Sequence, residues 1–584
     1  MIRSLFRRNA ARTLVAVIIA AGLWQPAPVA AQPSGLPNHL GIGLVAGNDS
    51  NGLTGWMPDS KIPWDYAYQY LSGGVNHGWA TWNEKGQFAL YYAKAAASHG
   101  YIPVFSYYNL LYSDGPCGGC NEGDKDMAHL NDPTTMKAYF DDFALLMKRL
   151  SGGNYDGIQG FGQTAIVHVE PDLSGFAEHA AQLDDPTTVP AAVASSGMPD
   201  VAAFPNTYQG FNWALLHLRD EYAPNVILAV HVSPWATNVD IGSSSDPSID
   251  AAGVGGRTGA FAAASGVAQA GPGTSTYDLI FTDVLDRDAG FYEYAQNDPH
   301  RWWDRLNLSY PNFQRWEQWL ASANQAAGRK PIMVWQIPLG NQYFQSENNT
   351  KGHYQDNRAE YFFNHLDELR QIGIIGLLFG GGGGDVTSYN DAARDGVTNP
   401  ASFCTTDGVS TGQVCNDHPS SVADDDGGYL RMMATQYYAN PLPLLADIGS
   451  AQTQSANSGS SSSSGTLVTP PPSVPLEVDL GATTVEPPVA SPGQDVTLRQ
   501  DTISSTNSTV IVNFEIVDAQ GNPVFQAQVP DQQVLVGLIM SSSTVFTLPN
   551  NLPTGRYALK VGVYTNDGSQ QLASSDYAAT LTVR

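Results

Sequence analysis

The chain has 584 residues and is acidic, with 28 Lys and Arg against 55 Asp and Glu and a formal net charge of −27. Only 14% of its residues are charged, so the acidity is spread thinly over a sequence rich in apolar and aromatic side chains. That balance argues against nucleic acid or anionic lipid as a partner and suits an uncharged ligand.

At the N-terminus, Arg3, Arg7, Arg8 and Arg12 precede an apolar run from Leu14 to Leu23, and Val29-Ala30-Ala31 supplies small residues before Gln32. A basic start, a run too short to span a bilayer and a small-residue cleavage site read as a secretory signal over residues 1–31. The mature protein is therefore expected to be extracellular or periplasmic. No later segment is long and apolar enough to be a membrane helix.

Eight short apolar, β-branched or aromatic runs follow: LGIGLVAG (40–47), YAYQYL (66–71), YIPVFSYY (101–108), AIVHVEPD (165–172), VILAVHVSPW (226–235), DLIFTDVLD (278–286), PIMVWQIP (331–338) and IIGLLFGG (374–381). Several are preceded by a helical pattern and a tight connector, such as AKAAASHG before Tyr101. After the strands come long polar stretches rich in Gly, Asp and Asn, notably 109–133, 173–212, 236–276 and 382–428. Eight strands with intervening helices predict an α/β fold, a (β/α)8 barrel over residues 32–450, with its site on the face carrying the strand C-termini. Long insertions confined to that face predict a large substrate cleft.

Four cysteines fall in two of the predicted loops as local pairs, Cys117/Cys120 and Cys404/Cys415. In an oxidising compartment each pair is expected to close on itself, stapling a loop that lacks a core. A zinc site built from all four is the alternative, disfavoured by the wide spacing of the second pair. Residues 451–475, containing SGSSSSSG and TPPPSVP, form a Ser/Thr/Pro-rich linker that cannot bury a core. From residue 476 to 584 the periodicity changes to two, with turn signals DAQGNP, LPTG and TNDG, which predicts an Ig-like or fibronectin-type β-sandwich. This module has no Trp. It is therefore read as a spacer or attachment domain ahead of a carbohydrate-binding one.

The strand ends carry the candidate chemistry. Strand four ends in HVEPD, so Glu170 shares a face with His168 by strand alternation, and Asp172 follows just beyond. Acids placed there are costly to bury without a partner or a task. Asp283 ends strand six and continues the alternation of Leu279 and Phe281, which puts it level with the cleft. Trp335 and Gln336 end strand seven, His231 and Trp235 end strand five, and Tyr107 ends strand three. Strand eight runs into Gly380–Asp385, whose five glycines either let a ligand approach the backbone, with Asp385 reaching in, or form a flexible stem for the insertion that follows. Asp286 and Asp288 could bind hydroxyls, pair with Arg287 or cap a helix. There is no G-x-S-x-G elbow, no H-E-x-x-H and no dinucleotide or phosphate loop.

This pattern resembles the (β/α)8-barrel glycoside hydrolases, over roughly residues 40–449. In the best-known clan of such enzymes a strand-four Glu, matched here by Glu170, is the general acid/base and a second Glu ends strand seven as nucleophile. This chain departs from that clan by carrying Gln336 at the strand-seven end. The resemblance implies a secreted enzyme that hydrolyses a polysaccharide with two carboxylates. Glu170 is expected as the general acid and Asp283 as the second carboxylate, with Asp385 in reserve. His168, Asp172, His231, Trp235, Trp335, Gln336, Asp385 and Tyr107 are expected to bind substrate. Strands four and six are not neighbours, which leans towards a gap holding a water and inversion. No cofactor or metal is implied, and a monomer is expected. The alternatives are a non-catalytic glycan-binding protein on a degenerate barrel, or a lyase or transglycosylase.

Overall fold

The computed structural model describes residues 32–305, 307, 309–405, 414–445, 476, 478–504, 508–518, 520–534 and 540–584. The expected signal segment and the Ser-rich linker lie outside the described residues.

All eight predicted runs are strands: β1 (Gly41–Val45), β2 (Tyr66–Ser72), β3 (Ile102–Tyr108), β4 (Ala165–Val169), β5 (Val226–His231), β6 (Leu279–Asp283), β7 (Ile332–Ile337) and β8 (Ile374–Phe379). Each pairs in parallel with the next, and β8 returns to β1, so the sheet closes into a barrel. Leu44 is in register with Phe379 on one side and Ala67 on the other.

Strand alternation divides the side chains between two cores. Tyr66, Tyr68, Val104, Ile166, Ile227, Leu279, Phe281, Met333 and Trp335 fill the lumen. Ala67, Phe105, Val167, Leu228, Ile280 and Val334 face outwards, against the helical layer. Every strand is buried on both faces, which is why these segments read as nearly continuous apolar runs.

The helices carry their own boundary signals. Helix α1 (Gln87–Ser98) follows β2, and α2 (Glu122–Leu130) and α3 (Pro133–Leu150) follow β3. Asp132 caps α3 by accepting from the Thr135 N–H at 2.7 Å, Pro133 occupies its first turn, and Lys148 and Arg149 lie in its last. Helix α4 (Pro171–Ala180) starts immediately after β4, α5 (Tyr208–Tyr222) leads into β5, and α6 (Ala251–Ala262) precedes β6. The outer layer is completed by α7 (Ala289–Ala295), α8 (Phe313–Ala326), α9 (Arg358–Asn364), α10 (Leu366–Gln371) and α11 (Tyr429–Ala439). The chain closes the bottom of the barrel where the Leu444 N–H donates to the Asn38 carbonyl.

Both expected disulfides are present, Cys117–Cys120 and Cys404–Cys415. The second joins two residues paired in a short antiparallel ladder.

The C-terminal segment forms a separate all-β domain of two sheets. One sheet is β9 (Val478–Glu486), β11 (Asp495–Ser504) and β14 (Met540–Thr547). The other, in spatial order, is β10 (Val489–Ala490), β16 (Gln571–Val583), β15 (Gly555–Thr565), β12 (Ser508–Val517) and β13 (Pro523–Val534). Val485, Leu498 and Phe546 from the first sheet share a core with Phe514, Val561 and Leu581 from the second. Tyr557, near the start of β15, donates its hydroxyl to the Pro553 carbonyl at 2.8 Å. The barrel and β-domain cores share no residue among those described.

Candidate active site

The C-terminal ends of the barrel strands surround a cleft of about 480 Å³. Trp335 and Gln336 from β7 and Asp283 from β6 line it, with Tyr70 from β2 and Tyr108 from β3. The first residue of α2 adds Glu122, and loops and a short turn add Asp240, Asp286, Arg287 and Arg301, while Trp235 and Phe176 form an aromatic wall with ring centroids 5.0 Å apart.

Asp172 enters this cleft from the first turn of α4. Burial pushes its carboxyl up to about 8, and the negative charges of Glu122 and Asp283 act in the same direction. The nearby Tyr108 hydroxyl and the N-terminal end of α4 favour the charged form, but burial outweighs them. Tyr108 donates its one hydroxyl proton to Glu122. Asp172 is therefore a proton-carrying acid on the cleft wall near neutral pH.

Asp283 is held differently. Its Oδ1 lies 3.1 Å from Nε2 of His231, whose Nδ1 lies 3.1 Å from Nε2 of His168. The two imidazoles sit below the cleft floor, with His168 stacked on Phe281 at 4.3 Å and meeting Trp335 edge-on at 4.9 Å. Burial drives His168 well below the ordinary histidine range, with the neighbouring His231 adding to the effect, so it is neutral.

Gln336 has φ +54°, a left-handed backbone that is uncommon outside glycine and costs on the order of 1–3 kcal/mol. Its amide donates to the Tyr70 hydroxyl. The glycine run makes room for it: a Cβ at Gly382 would lie 1.9 Å from the Gln336 amide, and one at Gly383 would lie 2.2 Å from the Arg287 guanidinium. At these two positions the approaching group is the protein's own side chain. Both cleft arginines are engaged by carboxylates, Arg287 by Asp286 and Arg301 by Asp298 at 3.0 Å.

Five expected site residues do not line the cleft: His168 and His231, which lie beneath its floor, and Glu170, Tyr107 and Asp385, which stand elsewhere. Glu170 is 2% exposed and does not line the cleft. Its φ of +38° breaks the strand alternation after Val169, so it does not share the lumenal face of His168. Its Oε1 accepts from the backbone N–H groups of Asn109 and Leu110, at 2.9 and 3.2 Å, and Tyr139 approaches it from α3. Burial pushes it up to about 8, opposed by those hydrogen bonds. Tyr107 points to the helical layer, because odd positions of β3 face outwards, and donates to Asp142 at 2.7 Å. Asp385 pairs with Lys351 at 2.6 Å in a separate depression of about 350 Å³.

The sequence reading missed Tyr70, Glu122, Phe176, Asp240 and Arg301 as cleft residues. Tyr70 was within reach, since it continues the lumenal alternation of Tyr66 and Tyr68. Glu122, Asp240 and Arg301 come from loops, a short turn and a helix start, where no period announces their direction, and Phe176 comes from the middle of α4.

No family model matches the chain, and no curated protein matches it. Among solved structures, a modular endo-β-1,4-mannanase of glycoside hydrolase family 26 from Cellulomonas fimi aligns over 93% of this chain and 94% of its own, at 12% identity and a TM-score of 0.34. The C-terminal domain of Wzt aligns over 19% of this chain and 73% of its own, at 17% identity and a TM-score of 0.16. An alkylpurine DNA glycosylase from Pseudomonas fluorescens aligns over 18% of this chain at 19% identity and a TM-score of 0.15, and this chain spans 30% of its length. What the chain is by fold is a (β/α)8 barrel followed by an all-β domain.

Proposed function

We propose that this protein is a secreted glycoside hydrolase that cleaves a polysaccharide, with Asp172 as general acid and Asp283 as the second carboxylate. The observation that carries this reading is a pair of cleft carboxylates in contrasting settings. Asp172 holds its proton up to about pH 8, whereas Asp283 is met by an imidazole nitrogen. Glycosidic hydrolysis needs one acid to protonate the leaving oxygen and one carboxylate to attack or to activate water. A carboxyl that keeps its proton suits the first role, and the carboxylate held by His231 is assigned the second.

The lining supports a glycan without carboxylates. Tyr70, Tyr108, Phe176, Trp235 and Trp335 line the cleft, and aromatic side chains of this kind suit contact with sugar rings. Both arginines are already engaged, and five acids line the same cleft, so a polyuronate would meet repulsion. Trp235, Trp335 and Gln336 are assigned to substrate contact. His168 and His231 act from beneath the floor.

Export fits the two disulfides, and among the described residues no helix is long and apolar enough to cross a membrane. Residues 32–450 would be the catalytic unit and 476–584 an Ig-like spacer, for which the Tyr557–Pro553 corner is the supporting feature. Incubation with a panel of neutral, amino-sugar and acidic polysaccharides tests the reading. New reducing ends are expected from a neutral member. Unsaturated products would identify a lyase, and binding without cleavage would identify a glycan-binding barrel.

A further inference from the structure

The proton positions on the two lumenal histidines follow from their partners. His231 presents Nε2 to Asp283 and Nδ1 to His168, so both of its ring nitrogens are engaged. His168 presents Nε2 to His231, and among the described residues its Nδ1 has no hydrogen-bond partner, although the residue is 0% exposed. If Asp283 is ionised, as the proposed second carboxylate must be, it can only accept, and Nε2 of His231 carries the proton. Two arrangements then remain. A neutral His231 accepts at Nδ1 from Nε2–H of His168, which leaves Nδ1 of His168 as a bare lone pair in an apolar stack. A protonated His231 donates at Nδ1, which forces the only proton of a neutral His168 onto Nδ1, a buried N–H with nothing to bond. Buried donors without partners are rarer and costlier than unused lone pairs, so the first arrangement wins.

Among the described residues, Asp283 receives no other side-chain hydrogen bond. Asp172 faces it from α4, and Asp286 and Arg287 come from its own loop, with Arg287 engaged by Asp286. Trp316 reaches only its backbone carbonyl, at 3.3 Å. One donor, His231, therefore sets how Asp283 is oriented, and His168 sets which nitrogen of His231 donates.

We propose that His168 is a positioning residue: by donating from Nε2 it locks His231 in the Nε2–H tautomer and so holds Asp283 as an oriented acceptor, leaving its second oxygen for the reaction. This inference rests on the proposed role of Asp283, because the tautomer is argued from its ionised carboxylate, but the tautomer can be measured without substrate. His168 is packed between Phe281 and Trp335 and lines no part of the cleft, so it acts through His231 alone.

Two measurements test it. Isotope-labelled histidine NMR of the full chain should find His231 neutral with its proton on Nε2 and His168 likewise. A proton on Nδ1 of His231 overturns the proposal, and this arm needs no substrate. If the protein cleaves no glycan, the proposed reaction fails while the tautomer is still decided. In the active enzyme, His168→Leu should lower kcat about 10–100-fold with KM within about two-fold, because orientation and not binding is lost. His168→Gln, whose amide nitrogen can donate from nearly the same place, should return kcat to within about three-fold of wild type. A wild-type kcat in folded His168→Leu, or a His168→Gln as impaired as His168→Leu, overturns the proposal.

Discussion

At the junction of β4 and α4 the backbone of Glu170 sits at φ +38°, and this one angle decides which acid reaches the cleft. In extended geometry Glu170 would follow Ile166 and His168 into the lumen. Turned left-handed, it instead receives the Asn109 and Leu110 N–H groups and secures the start of the loop after β3. Asp172 takes the cleft position. Glu170 is protonated at neutral pH, so Gln is close to it in shape and charge. Glu170→Gln should therefore keep more than about a tenth of the wild-type rate and nearly the wild-type stability. Glu170→Ala should cost about 1–3 kcal/mol, since it strips two buried N–H donors of their acceptor. Unfolding curves and steady-state rates check both. A Glu170→Gln that folds normally yet loses more than about 100-fold in rate would return the acid role to Glu170. HVEPD pointed to this strand end, and the residue identities alone could not show a reversal set by one dihedral. Tyr107 was misread for a milder reason: its place on the outward face of β3 follows from alternation, as its bond to Asp142 makes plain.

At the level of elements, the eight strands were legible because each is buried on both faces and bounded by turn residues. The loops were legible as long and polar, but not in their direction. Asp385 stands on one such loop and turns to Lys351, while Glu122 and Arg301 reach the cleft from a helix start and a short turn. The β-domain was visible as period-two runs, and Phe514, Phe546 and Tyr557 are buried in its core as that period requires. Because the two domains bury separate apolar cores, a chain ending near residue 450 should fold and retain near-normal activity on soluble oligosaccharides. The cut must stay beyond Leu444, whose N–H bond to Asn38 helps close the barrel. Circular dichroism and rate measurements on the truncated chain test this. Its collapse would show that the β-domain completes the barrel.

For the whole molecule, acidity and burial combine into a dependence of stability on pH. Burial raises Asp126 to about 9 and Glu170, Asp172, Glu178, Glu317 and Asp425 to about 8, with Asp288 and Asp426 near 7. Unfolded, the same groups titrate near 4. Between about pH 4 and pH 9 the folded state therefore binds more protons than the unfolded state, and stability falls as pH rises through that window. Each unit of displacement is worth about 1.4 kcal/mol for a buried group. Calorimetry at fixed ionic strength should find Tm at least about 5 °C higher at pH 5 than at pH 8.5. A flat or opposite trend would mean that these carboxyls are ionised and paired in the folded protein. The net charge of −27 was plain from composition, but which acids hold protons depends on burial that only the fold reveals.

The most direct test of the account compares wild type and Asp172→Asn in the release of reducing ends from the polysaccharide that wild type cleaves best. Removing the transferable proton while keeping the side chain's shape should cost about 10²–10⁴-fold in kcat, with binding preserved. An Asp172→Asn variant within about ten-fold of wild type would contradict the assignment of the cleft acid and the mechanism built on it.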